Sequence, residues 1–135
     1  MNKHRVFCYG TLKRGIHNHH LLSTAEFVGE AYTLDTFKMY HVGFPVIRFS
    51  DHPDAKAVFG EVYDVDDDTL KKLDRLENEG VMYDRKQINI TLSDLAANDI
   101  IDQVSVYVGN DKYWDGHSPQ EYTSVNVHDE LEWRP

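Results

Sequence analysis

One carboxylate occupies a position that a helix would ordinarily give to a leucine. From Asp66 onward, Asp66-Asp67-Asp68-Thr69 reads as a helix start, with acidic side chains suited to the free N–H groups and positive dipole end of a first turn. With Leu70 as origin and about 100° per residue, Leu73 falls near 300° and Leu76 near 240°, which defines a buried stripe. On the same wheel Lys72, Arg75 and Glu79 fall near 200°, 140° and 180°, on the wet side, whereas Glu77 falls near 340°, between two leucines. An ionised carboxylate taken out of water without partners has its pKa raised. That state suits a general acid/base near neutral pH. A frayed helix end whose glutamate reaches water or an arginine such as Arg85 is the other reading, and the pattern alone leaves both open.

A second candidate lies after the first apolar run. Val6-Phe7-Cys8-Tyr9 is strand-like and is closed by Gly10, then Thr11 and Leu12. Glycine there permits torsions closed to other residues and lets a ligand approach the main chain. Successive N–H groups in such a turn can converge on an anion or a developing oxyanion. An ordinary glycine turn would look the same. Gly10 and Gly15 complete neither a Walker nor a dinucleotide spacing. Cys8 sits in an apolar strand and reads as inert core, and His17-Asn18-His19-His20 lacks metal-site spacing and reads as loop, so no metal is expected. Trp114 and Trp133 read as packing or as a lid over a pocket.

These groups must be positioned by strands and one helix. Val6 to Tyr9, Phe27 to Tyr40, Val46-Ile47, Ala57 to Val65, Gln87 to Leu92 and Val104 to Val108 read as strand material, with Gly43-Phe44-Pro45 as a break. His19 to Ala25 suits one or two helical turns, and the main helix is expected to run to about Asn78, before Gly80. Ser93 to Asp102 reads as a polar connection, and the tail from Asn110 carries no clear pattern. The expected class is α+β: a small curled, mostly antiparallel sheet or barrel with one main helix, as a single domain over residues 1–135.

Composition agrees with an ordinary core. Of 135 residues 41% are apolar and 12% aromatic, enough to bury a core without metal or disulfide. A single cysteine points to a reducing, cytoplasmic setting. The 23 acidic against 14 basic residues give a formal charge of −9, a field that repels nucleic acid and anionic lipid. No run approaches the roughly 20 apolar residues of a membrane span.

Taken together the segments resemble the γ-glutamylcyclotransferase-like superfamily, and most its γ-glutamylamine cyclotransferase branch. The resemblance rests on Val6-Phe7-Cys8-Tyr9-Gly10-Thr11-Leu12-Lys13-Arg14-Gly15, with Asn18 and Leu21 after it, then Gly43-Phe44-Pro45, Gly60-Glu61-Val62-Tyr63-Asp64-Val65, and Leu73-Asp74-Arg75-Leu76-Glu77 followed by Tyr83 and Arg85. These keep the family's order across roughly Val6 to Tyr107. Asn78 stands where many relatives have glycine, Glu79 adds a second carboxylate, and Trp114 to Pro135 has no close match.

The resemblance implies release of 5-oxoproline and a free amine or amino acid from a γ-glutamyl amide, through attack of the substrate's own α-amine. It implies Glu77 as general acid/base, and Tyr9, Gly10, Thr11, Leu12, Tyr83 and Arg85 as substrate-binding, without metal or organic cofactor. A non-enzymatic binding module on the same fold is the alternative class. Removal of a γ-glutamyl group from a larger biosynthetic conjugate is the other.

Overall fold

A computed structural model describes residues 3–93 and 100–135. Five strands close into a barrel in the order β1 (Lys3–Cys8), β5 (Phe59–Asp66), β2 (Glu26–Thr33), β6 (Tyr83–Leu92) and β7 (Ile100–Gly109). The neighbouring pairs are antiparallel except for the closure, where β1 meets β7 in parallel through Val6 and Ser105. Strands β3 (Phe37–His41), β4 (Pro45–Phe49) and β8 (Gln120–Tyr122) form a second, smaller sheet in the order β4-β3-β8. The α+β barrel with one main helix is therefore the architecture.

Strand alternation builds two cores, because successive side chains point to opposite faces. Phe7 on β1, Ile88, Ile90 and Leu92 on β6, and Val104, Val106 and Val108 on β7 pack together in the first core with Phe37, Met39 and Ile47 of the small sheet. The other faces supply Val6, Cys8, Tyr63, Val65, Tyr83 and Tyr107, which pack under Leu70 and Leu73 of the main helix, α1 (Asp67–Leu76). Each buried aliphatic side chain contributes on the order of 1.5–3 kcal/mol. The glutamate-bearing helix is thus held down by its leucines.

Helix α1 starts as its sequence requires. Asp66 is the N-cap, and its side chain accepts from the Thr69 N–H at 2.8 Å. It ends earlier than the expected Asn78, at Leu76, with Glu77 as C-cap and Asn78 at φ 51°. Glycine and asparagine are the residues that tolerate this left-handed conformation, so Asn78 can end the helix here. Because the last turn overhangs the rim of a cavity, Leu76 is 39% exposed rather than buried with Leu70 and Leu73.

Other elements differ in extent from the sequence reading. The stretch from Phe27 to Tyr40 is two strands, broken where the Thr33 hydroxyl donates to the Asp35 carbonyl and accepts from the Val58 N–H. His19 to Leu22 makes a short 3₁₀ turn. Residues 100–102 belong to β7, and the rest of the expected connection, residues 94–99, lies outside the described residues. The tail forms a short helix α2 (Asp111–Asp115), then β8, then a return that buries Leu131 and Trp133 in the barrel core.

Candidate functional site

A cavity of about 210 Å³ opens at the C-terminal end of α1. Its walls come from the end of β1 and the following loop (Phe7 to Leu12, His17, Asn18), from Gly43-Phe44-Pro45, from Leu76-Glu77, from Met82-Tyr83 and from Tyr107. Tyr9, Gly10, Thr11, Leu12, Glu77 and Tyr83 therefore share one site although up to 74 residues separate Tyr9 (position 9) from Tyr83 (position 83).

Gly10 is required by contact rather than by torsion. Its φ lies outside the left-handed region, but a Cβ there would stand 2.6 Å from Cγ and 3.0 Å from Cδ of Pro45. Pro45 is buried, placed by the β3–β4 hairpin whose turn residue Gly43 has φ 85°. Two distant glycine-containing segments thus form one wall because each leaves room for the other. The loop is tied internally by the Asn18 side chain donating to the Thr11 hydroxyl at 3.0 Å and the Asn18 N–H donating to the Thr11 carbonyl at 3.0 Å. Among the described residues no protein acceptor meets the N–H groups of Gly10, Thr11 or Leu12. Those groups can serve a ligand.

Glu77 is held over this wall. Burial pushes its carboxyl from the ordinary value of 4.5 up to about 7, and among the described residues no compensating donor or cation acts on it. Its charge in turn helps to raise the Tyr9, Tyr83, Tyr107 and Cys8 groups, after their own burial, which places all four within its field. The tyrosine protons are committed elsewhere: Tyr9 donates to the Tyr107 carbonyl at 2.6 Å and Tyr83 to the Pro45 carbonyl at 3.0 Å. A carboxyl that titrates near 7 is able to take a proton at neutral pH and to return it.

Arg85 stands apart from the residues with which the sequence grouped it. It lies two residues beyond Tyr83 on β6, beneath α1, where its Nε and Nη2 donate to the Asp74 carboxylate at 3.0 and 3.3 Å. The same carboxylate accepts from the Tyr107 hydroxyl at 2.6 Å. Asp74 precedes Glu77 by one helical turn and so captures the guanidinium before it can reach the cavity. Glu79 is exposed and accepts from the Arg85 N–H.

Tyr107, Phe44 and Met82 also line the cavity, and little in the sequence marks them. Tyr107 reads as one more aromatic in an alternating strand, Met82 precedes one, and Phe44 could be noticed only through its glycine-aromatic-proline setting. The tryptophans pack: Trp114 Nε1 donates to the Met82 carbonyl at 2.8 Å and Trp133 Nε1 to His41 Nδ1 at 3.1 Å. The ring nitrogens of His19 and His20 donate to the Leu12 and His17 carbonyls at 2.9 and 3.0 Å. Cys8 is buried, and burial holds its thiol far above the ordinary range. Cys8→Ala should leave turnover within about threefold, because a buried neutral thiol acts as a small hydrophobe; a loss of several orders of magnitude in steady-state assays would transfer the chemistry to Cys8.

A small barrel whose cavity places a carboxyl titrating near 7 beside main-chain N–H groups is suited to acid/base chemistry on a small molecule. The family model described as gamma-glutamyl cyclotransferase, AIG2-like, matches residues 6–134, and the chain belongs to that family. The chain is 34% identical over 85 residues to gamma-glutamylcyclotransferase family protein YtfP of Escherichia coli K12, covering 62% of this chain and 71% of that protein. It is 38% identical over 94 residues to gamma-glutamylaminecyclotransferase of Bos taurus, covering 64% of this chain and 56% of the bovine protein. The chain thus matches little more than half the length of that bovine relative. A crystal structure of an AIG2-like protein from Mus musculus superposes with a TM-score of 0.73 at 27% identity, covering 100% of this chain and 97% of that chain. Among the described residues no helix is long and apolar enough to cross a membrane.

Proposed function

We propose that the protein is a γ-glutamylcyclotransferase-type enzyme that converts a γ-glutamyl amide to 5-oxoproline and a free amine or amino acid, acting on a small molecule in the cytoplasm. The observation that carries this reading is the raised carboxyl of Glu77, without a side-chain partner among the described residues, in the same cavity as Gly10, Thr11 and Leu12. Family membership supports it.

The substrate would lie with its α-carboxylate or γ-carbonyl oxygen against the free N–H groups of Gly10, Thr11 and Leu12. An α-ammonium cannot attack, so Glu77 takes one of its protons. The amine nitrogen then bonds to the γ-carbonyl carbon, closing a five-membered ring, and negative charge passes to the carbonyl oxygen. As that oxygen re-forms its double bond, the amide C–N bond breaks and Glu77 returns the proton to the departing nitrogen. The ring nitrogen, left with one proton too many, gives it up through the regenerated Glu77 carboxylate to the released amine, which departs as its ammonium. No water is consumed. The nucleophile is already part of the substrate, so holding it in ring-closing geometry supplies much of the rate. Tyr9 and Tyr83, whose protons are donated to main-chain carbonyls, shape the cavity and offer lone pairs to a positive group.

Incubation with a panel of γ-glutamyl amines and dipeptides, with and without chelator, should yield 5-oxoproline at the same rate in both conditions. Glutamate as the product would mean that water is the nucleophile, and no product from any member would leave a binding module.

A further inference from the structure

Glu61 is a buried carboxylate that the mechanism above does not use. It sits on β5 opposite Cys8, with its residue 7% exposed. A side chain of this kind is costly to bury unless its oxygens are satisfied. Its Oε1 accepts from the Tyr63 hydroxyl at 2.9 Å and from the main-chain N–H of Arg14 at 3.0 Å, and its Oε2 lies 3.6 Å from Arg14 Nε. The Arg14 guanidinium continues over the Phe27 ring at 4.4 Å, and Tyr63 packs against Phe27 and His19. One acidic side chain therefore joins the rigid barrel wall to the loop that begins at Tyr9.

The location matters for the loop. Lys13 N donates to the Gly10 carbonyl at 3.1 Å, closing a turn around Thr11 and Leu12, and Arg14 is the next residue. Holding the Arg14 N–H therefore holds the far side of the turn whose residues Gly10, Thr11 and Leu12 line the cavity. A hydrogen bond from a neutral donor to a buried charge is worth more than one to a neutral acceptor, and it is lost when the acceptor cannot reach.

We propose that Glu61 is a positioning residue that fixes the Gly10–Leu12 N–H groups through the Arg14 main chain. Its significance for catalysis rests on the reading of that turn as the substrate-binding loop. Glu61→Gln keeps the reach and loses the charge; Glu61→Asp keeps the charge and withdraws the oxygens by about 1.5 Å, beyond hydrogen-bond range of the Arg14 N–H. The glutamine variant should stay within about threefold of the parent in KM, and the aspartate variant should raise KM at least about tenfold. The acid limb of the pH–rate profile, which reports Glu77, should stay where it is in both. A role in stability alone would lower the melting temperature of both variants without this split.

Amide hydrogen exchange provides a readout that does not depend on activity. In the unaltered protein the Arg14 amide should exchange at least about 100-fold more slowly than in a free peptide. Exchange should be at least about tenfold faster in the aspartate variant than in the parent. An unprotected Arg14 amide in the parent, or a folded aspartate variant with parental exchange and KM, would overturn the proposal. A parent that releases no 5-oxoproline while showing the exchange pattern would refute the cyclotransferase reading and leave the anchor standing.

Discussion

Glu77→Gln is expected to lower turnover by about 10²–10⁴-fold, the usual contribution of a general acid/base. The amide keeps the size of the side chain and cannot carry the proton between nitrogens. The exposed Glu79, two residues on, should tolerate the same change with little effect, since its oxygen only meets the Arg85 N–H at the surface. Activity in Glu77→Gln with inactivity in Glu79→Gln would place the catalytic carboxylate two residues later, and activity in both would make Glu77 a helix-end residue.

The same substitution has a second, opposite effect on stability. The folded carboxyl titrates near 7 and the unfolded one near 4.5. Below the lower value both states are protonated and the group contributes no difference. Between the two values the folded chain retains a proton that the unfolded chain has lost, so the stability associated with Glu77 falls as pH rises. Above the upper value the folded state carries the full cost of a buried charge, at most about 3 kcal/mol. Glu77→Gln should therefore melt higher than the parent at pH 8, with the gap closing toward pH 4.5. Parental kcat/KM should rise through pH 7 toward a plateau, because the base form does the work. A variant that is slower and yet more stable at pH 8 is the signature of a functional residue retained against stability. Equal melting curves across that pH range would mean that the carboxylate is not desolvated.

Gly10→Ala is expected to have the second largest effect. A methyl group there would stand 2.6 Å from the Pro45 ring, so either the loop or the β3–β4 hairpin must move. Overpacking of this kind costs about 1–3 kcal/mol, and a displacement of about 1 Å at a positioned reactant can lower kcat/KM by about 100-fold. Pairing it with Pro45→Ala removes the ring and keeps the carbonyl that Tyr83 contacts, so the double variant should recover much of both losses. Recovery is read from kcat/KM and melting temperature together. A Gly10→Ala variant with parental kinetics would show that the loop has slack and does not place the substrate.

Several parts of this protein were determined by local sequence. The cap at Asp66, the leucine stripe, the alternation of β6 and β7, and the glycine-closed first strand follow from short-range rules, because capping and side-chain period depend on neighbours within a turn or a strand. Glu77 was visible for the same reason: a carboxylate on an apolar stripe is a local violation. The rest required the tertiary structure. Leu76 belongs to the stripe on the wheel, yet the helix ends over a cavity and leaves it half-exposed. Arg85 follows Tyr83 by two residues, yet Asp74 on the helix above claims it. The need for glycine at position 10 comes from Pro45 on another hairpin, and no torsion of residue 10 would have revealed it. The anchor at Glu61 likewise joins residues 47 positions apart. Such facts depend on which strands neighbour one another in the closed barrel. That order is set by burial of two whole cores at once, and no window of the chain contains it.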